Sequence, residues 1–191
     1  MIWDIDPAHS QVSFALPVMR VTTTRGQFKK LRGRFHIDEQ HPTNSWVEAE
    51  VEAASIDTHN WLRDAHLRSA AFFDVKQYPR TTFQSTHIEQ VSDQTYQVTG
   101  NLTLRGLTRP ITFEVTYRGQ QTGASERAYL YASATLNRHD FGMGRGGMVV
   151  GALVSIALEL EVVQQSSEVP EQAAKETSTD LGDRTAATSP G

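Results

Sequence analysis

The densest set of side chains able to do chemistry is Arg63, Asp64, His66 and Arg68, with Asp74 soon after. Two guanidinium groups, an imidazole and a carboxylate so close together could form a polar lip that meets a ligand head group. The same residues also suit a solvated helix. Asp64 and Arg68 stand four apart in the favoured order, a pair worth about 0.3–0.5 kcal/mol. His59, Asp64 and His66 are the tightest metal-like cluster among seven histidines. A metal site needs three or four converging ligands, and the chain has no HExxH or HxH element, so no metal is expected.

Other candidates lead away from catalysis. His9 and Ser10 are adjacent, but neighbours on a strand point to opposite faces and cannot act as base and nucleophile. There is no GxSxG element and no cysteine. His139-Asp140 is similar to the dipeptide of metal phosphohydrolases, yet Phe141-Gly142 places it in a turn. The glycine-rich run from Gly142 to Gly151 lacks the Lys and Ser/Thr of a phosphate loop, and a strand follows it. It reads as a hairpin loop, with Met143 and Met148 as adaptable apolar groups at a barrel mouth.

The elements that must position these groups are strands. Val12, Phe14, Leu16 and Val18 alternate with Gln11, Ser13, Ala15 and Pro17. The same period of two runs through Val47–Ala53, Tyr96–Leu104, Ile111–Tyr117 and Val154–Val162. One face is therefore apolar and the other meets water. Eight strands are predicted, at roughly 10–20, 26–38, 45–54, 81–90, 94–105, 109–118, 126–136 and 151–163. The pattern slips at Lys29-Lys30, which predicts a bulge there. In the seventh strand Leu130, Ala132, Ala134 and Leu136 face one way, and Tyr129 and Tyr131 the other. Both faces of that strand are expected to be covered, the outer one by a second subunit. Between strands three and four, Asn60 can cap a short helix from Trp61 to Ser69. Such a helix must dock to be stable, and Trp61, Leu67, Phe72 and Phe73 are the expected docking groups.

The 191 residues make one domain, with 38% hydrophobic and 21% charged residues and a net charge of −4. Residues 164–191 hold five acids and two bases and no aromatic residue, and are expected to be a disordered acidic tail. The remainder is nearly neutral, so no basic field exists to attract nucleic acid. No apolar run is long enough to span a bilayer as a helix. The opening Met-Ile-Trp-Asp carries no signal-peptide pattern, so a cytoplasmic location is expected. The inward residues offer one kind of polar atom, the hydroxyl of Tyr. Such an interior can bind, but it holds no general acid or base.

Five ordered motifs carry a family resemblance. They are Trp3-x-Ile5-Asp6-x-x-His9-Ser10-x-Val12-x-Phe14, and Arg25-Gly26-x-Phe28 with Gly33 after it. The third runs from Ser55-Ile56-Asp57-Thr58 through Arg63-Asp64-x-His66-Leu67-Arg68-Ser69 and Phe72-Phe73-Asp74-Val75 to Tyr78-Pro79. The fourth is Gly100 to Pro110, and the fifth Asn137-Arg138-x-Asp140-Phe141-Gly142 with Val150-Gly151-x-x-Val154. Residues 1–163 thereby resemble the YceI-like family. The resemblance implies an all-β fold, an extended eight-stranded antiparallel barrel similar to lipocalins. It also implies an apolar pore for a polyisoprenoid or related lipid, often in a dimer. The chain departs from the family pattern at Val18, often His, and at Ala152, often Asp.

The expected pore residues are Phe14, Leu16, Val18, Phe35, Val51, Phe83, Phe113, Leu158 and Leu160, with Arg63, His66 and Met143 at the rim. The expected ligand is a polyisoprenoid, an isoprenoid quinone or a similar linear lipid, held for sequestration or transport without a further cofactor. The alternatives are a self-packed barrel acting as a protein-interaction module, and a lipid-modifying enzyme using His66.

Overall fold

The computed structural model describes residues 1–165 apart from 20, 39, 42, 43, 124 and 145–149. The expected tail and the middle of the glycine-rich loop, including Met148, therefore lie outside the described residues, apart from Gln164 and Gln165 of the tail. Eleven strands are present among the described residues: β1 (Ile2–Ile5), β2 (Gln11–Val18), β3 (Thr22–Phe28), β4 (Leu31–His36), β5 (Trp46–Glu52), β6 (Ile56–Asp57), β7 (Arg80–Ser92), β8 (Thr95–Leu104), β9 (Leu107–Gln121), β10 (Arg127–Asn137) and β11 (Leu153–Gln164). One helix, α1 (Trp61–Arg68), sits between β6 and β7.

Eleven pieces make an eight-stranded ring because three staves are broken. β1 and β2 both pair with β11, at Trp3↔Gln164 and Ser155↔Ala15, and form one interrupted stave. β3 pairs with β2 and β4 with β1, forming the second. β5 pairs with β4 and β6 with β3, forming the third. β7 to β11 complete the antiparallel circuit, which β1 closes onto β11. Closure removes the free edges that an open sheet would expose.

Each break satisfies its own backbone groups, as buried amides must. Opposite the gap between β1 and β2, Glu161 donates its N–H to Ser10 Oγ at 3.0 Å. Its carbonyl accepts from Asp6 N–H at 2.8 Å and from Ser10 Oγ at 3.1 Å. Ser10 is thus a strand-mending group rather than a nucleophile. At the expected slip, Lys29 N–H donates to the Ser55 carbonyl and Lys30 N–H to Ser55 Oγ, both at 3.2 Å. The first stave begins earlier than expected, because β1 was not predicted.

The apolar faces point inward. One cluster joins Ile5, Val12, Leu31, Phe35, Ala128 and Val162 across the closure. A second joins Leu102, Leu104, Ile111, Phe141 and Met143 near the α1 end.

Candidate functional site

The clusters line the bore without filling it. A cavity of about 1250 Å³ runs along the barrel between two chemically different mouths. It exceeds the 300–1,000 Å³ usual for small-ligand pockets. Phe14, Leu16 and Val18 of β2 line it, as do Phe35 of β4 and Val51 of β5. Phe83 of β7, Phe113 of β9, and Leu158 and Leu160 of β11 complete the expected set. Their convergence follows from register: Phe14 is opposite Ile156, and Val12 opposite Leu158, on the ladder between β2 and β11. Phe83 and Phe113 meet edge to face at 5.2 Å.

The α1 mouth is built by local hydrogen bonds. Asn60 caps the helix, its side chain accepting from Arg63 N–H at 3.0 Å. Arg63, His66 and Leu67 share one face, being three and four apart, and line the cavity. Arg63 Nε donates to Thr58 Oγ1 and Nη2 to the Thr58 carbonyl, both at 2.7 Å. The Thr58 hydroxyl in turn donates to Asp64 Oδ1 at 2.6 Å. His66 stands edge-on to Phe72 at 5.0 Å.

Several expectations fail here. Trp61 does not dock; it is 81% exposed, on the face of α1 opposite the cavity. Leu67, Phe72 and Phe73 do the docking, and Phe73 meets Phe28 edge to face at 5.5 Å. Asp64 and Arg68 do not form the expected pair. Asp64 is buried against Thr58, while Arg68 donates to the carbonyls of Ala54 at 2.9 Å and Ile56 at 2.7 Å. Met143 lines the cavity but is buried in the second cluster rather than exposed at a rim. His59, Asp64 and His66 do not converge as ligands. Among the described residues the group that does is Asp6, His9 and Glu161. Arg127 fills that group, bonding both Glu161 and Asp6.

Sequence reasoning missed Arg138. It is 5% exposed and lines the cavity. Its guanidinium donates to four carbonyls: Gly151 at 2.8 Å, Met143 at 2.9 Å, Val150 at 2.9 Å and Gly144 at 3.3 Å. No carboxylate lies within 4 Å of it among the described residues. The Asn137-Arg138 motif was its only sequence signal. The opposite mouth, beside Trp3 and His36, is lined by Asp38, Asp93 and Glu126. These three sit where strands end, beyond the alternating segments, and were missed for that reason. The cavity is therefore apolar in its middle, cationic at the α1 mouth and anionic at the other.

A YceI-like domain model matches residues 3–162. The chain belongs to the YceI-like family. Relatives include a UPF0312 protein of Pseudomonas putida, 34% identical over 164 residues, covering 85% of each chain. Protein YceI of Salmonella newport is 33% identical over 164 residues, again with 85% of each chain covered. Burkholderia cenocepacia BcnA superposes with a TM-score of 0.74 at 27% identity, over 84% of this chain and 99% of that one. A domain from Saccharophagus degradans, described as polyisoprenoid-binding and implicated in plant cell wall breakdown, superposes with a TM-score of 0.68. It is 15% identical, covers 85% of this chain and 98% of its own, and so speaks for the YceI-like fold alone.

Proposed function

We propose that the barrel binds one long linear apolar lipid, a polyisoprenoid or isoprenoid quinone, and holds it for sequestration or transport. The observation that carries this reading is the unfilled apolar bore of about 1250 Å³ extending along the staves. Ten residues of strand span about 33 Å, a length that suits a chain rather than a compact solute. Each buried CH₂ contributes about 0.8 kcal/mol. Some fifteen such groups would match the roughly 12 kcal/mol of nanomolar binding before ordering costs. The polyisoprenoid-binding description of the Saccharophagus degradans domain, which shares the fold, supports the same ligand class. The protein acts as a binder rather than an enzyme, and needs no further cofactor.

Native mass spectrometry of protein purified without detergent, followed by extraction, tests this reading. A stoichiometric lipid adduct is expected, and Phe14→Asp is expected to abolish it. An adduct-free mass that persists after incubation with polyprenyl lipids would overturn the proposal.

A further inference from the structure

Most of the large apolar side chains left in water gather at one end of the barrel, with Met1, Ile2 and Val91 at the other. Met19 (66% exposed) and Val21 (86%) form the turn between β2 and β3. Trp61 (81%) and Leu62 (64%) are exposed on the first turn of α1, and Leu153 (58%) starts β11. All three elements stand at the same end of the barrel. Val18 bridges to Val150, and Gly151 N–H donates to the Pro17 carbonyl at 2.8 Å, which brings the β2–β3 turn beside the start of β11. Val18, His66 and Val154 line one mouth, so this apolar collar surrounds the opening of the cavity.

Charge distinguishes this end from the other. Around the α1 mouth, Arg63, Arg68, Arg105 and Arg138 bond hydroxyl or carbonyl oxygens, and none is within 4 Å of a carboxylate among the described residues. At the far mouth, Asp38, Asp93 and Glu126 line the opening. Exposed apolar groups, a tryptophan among them, beside the part-exposed Arg68 and Arg105, which bond only carbonyl oxygens, fit the boundary between acyl chains and anionic headgroups. Exposed apolar side chains gathered around one opening mark a contact site for a partner.

We propose that the α1 end docks on an anionic lipid bilayer, with Trp61, Leu62, Met19, Val21 and Leu153 entering the headgroup layer. The inference rests on reading the cavity as a lipid site, since docking would bring its mouth against the source or destination of the lipid.

The test is flotation of the full chain with equimolar phosphatidylcholine–phosphatidylglycerol vesicles, with tryptophan emission followed in parallel. The protein is expected to float, its emission to shift to the blue, and brominated acyl chains to quench it. Trp61→Phe is expected to remove most of the spectral change while leaving flotation. Trp61→Ser with Leu62→Ser is expected to weaken vesicle binding about tenfold or more. Both side chains are exposed, so the fold should survive, and this variant should still take polyprenol in vesicle-free solution. Pure phosphatidylcholine vesicles are expected to bind less. A wild-type chain that fills its cavity with lipid yet ignores vesicles would overturn the docking proposal and leave the cavity reading standing. Unchanged binding by the double variant would also overturn it. So would self-association in solution that the double variant abolishes, which would assign the collar to a second copy. A chain that floats but never takes lipid would overturn the cavity reading instead.

Discussion

Asp64 is a carboxylate buried against Thr58, accepting the Thr58 backbone N–H at 2.9 Å and its hydroxyl at 2.6 Å. Arg63 completes the knot by donating to the same hydroxyl and to the Thr58 carbonyl. The anion and the cation are joined through Thr58, and α1 is tied to the chain that leaves β6. Removing the carboxylate leaves two donors in a buried place. Asp64→Ala should therefore destabilise the protein by about 3 kcal/mol, the scale of losing bonds to a charged acceptor. Urea unfolding should show a lower midpoint with an unchanged slope.

Gly26 packs where no side chain fits. A Cβ there would stand 2.5 Å from Phe14 Cζ and 2.7 Å from Thr58 Cγ2. Gly26→Val should push the Phe14 ring into the bore, at a cost of about 1–3 kcal/mol for overpacking. Native mass spectrometry with a series of prenyl lipids should show loss of the longest ligands before the shortest.

Arg138 ties Met143 and Gly144 to Val150 and Gly151. Gly144 takes φ +81°, and a Cβ there would fall 1.5 Å from Arg138 Nη1. Arg138→Lys keeps the charge but cannot reproduce a planar fork serving four carbonyls. It should lose at least about 2 kcal/mol, and Arg138→Met at least as much, since both leave buried carbonyls unpaired. Thermal unfolding checks this: if Lys restored wild-type stability, charge rather than geometry would be the requirement.

Acid stability should carry a signature of Asp57. The Lys29 ammonium, 2.7 Å away, and the His59 backbone N–H lower its carboxyl to about 2. The folded value lies below the unfolded one near 3.8, so the contribution is present above that pH and is lost as pH falls toward 2. Asp57→Asn should match wild type at pH 2 and be less stable at pH 5. Lys29 is 60% exposed, so added salt should shrink the difference.

Much of the barrel is legible in the sequence because period two survives wherever one face is buried. Phe14, Leu16, Leu158 and Leu160 reach the cavity by that rule alone. β1 escapes it, because four residues before a break give too few alternations to read. Trp61 misleads because size and apolarity suggest burial, whereas helical spacing puts Arg63, His66 and Leu67 on the inner face. Asp64 misleads because its spacing suggests Arg68, while the structure pairs it with the Thr58 N–H and hydroxyl. Arg138 bonds only carbonyls, a kind of partner that leaves no mark in side-chain pattern.

The ladder between β1 and β11 joins Trp3 to Gln164. On the ribosome, Trp3 emerges some 160 residues before its partner. The ring cannot shut until Gln164 is free, so the early staves must wait with apolar faces and unpaired backbone in water. Joining ends so distant in sequence makes assembly slow relative to a helical protein of this size. The interval before the last stave arrives is when this protein is most open to aggregation and to chaperone capture.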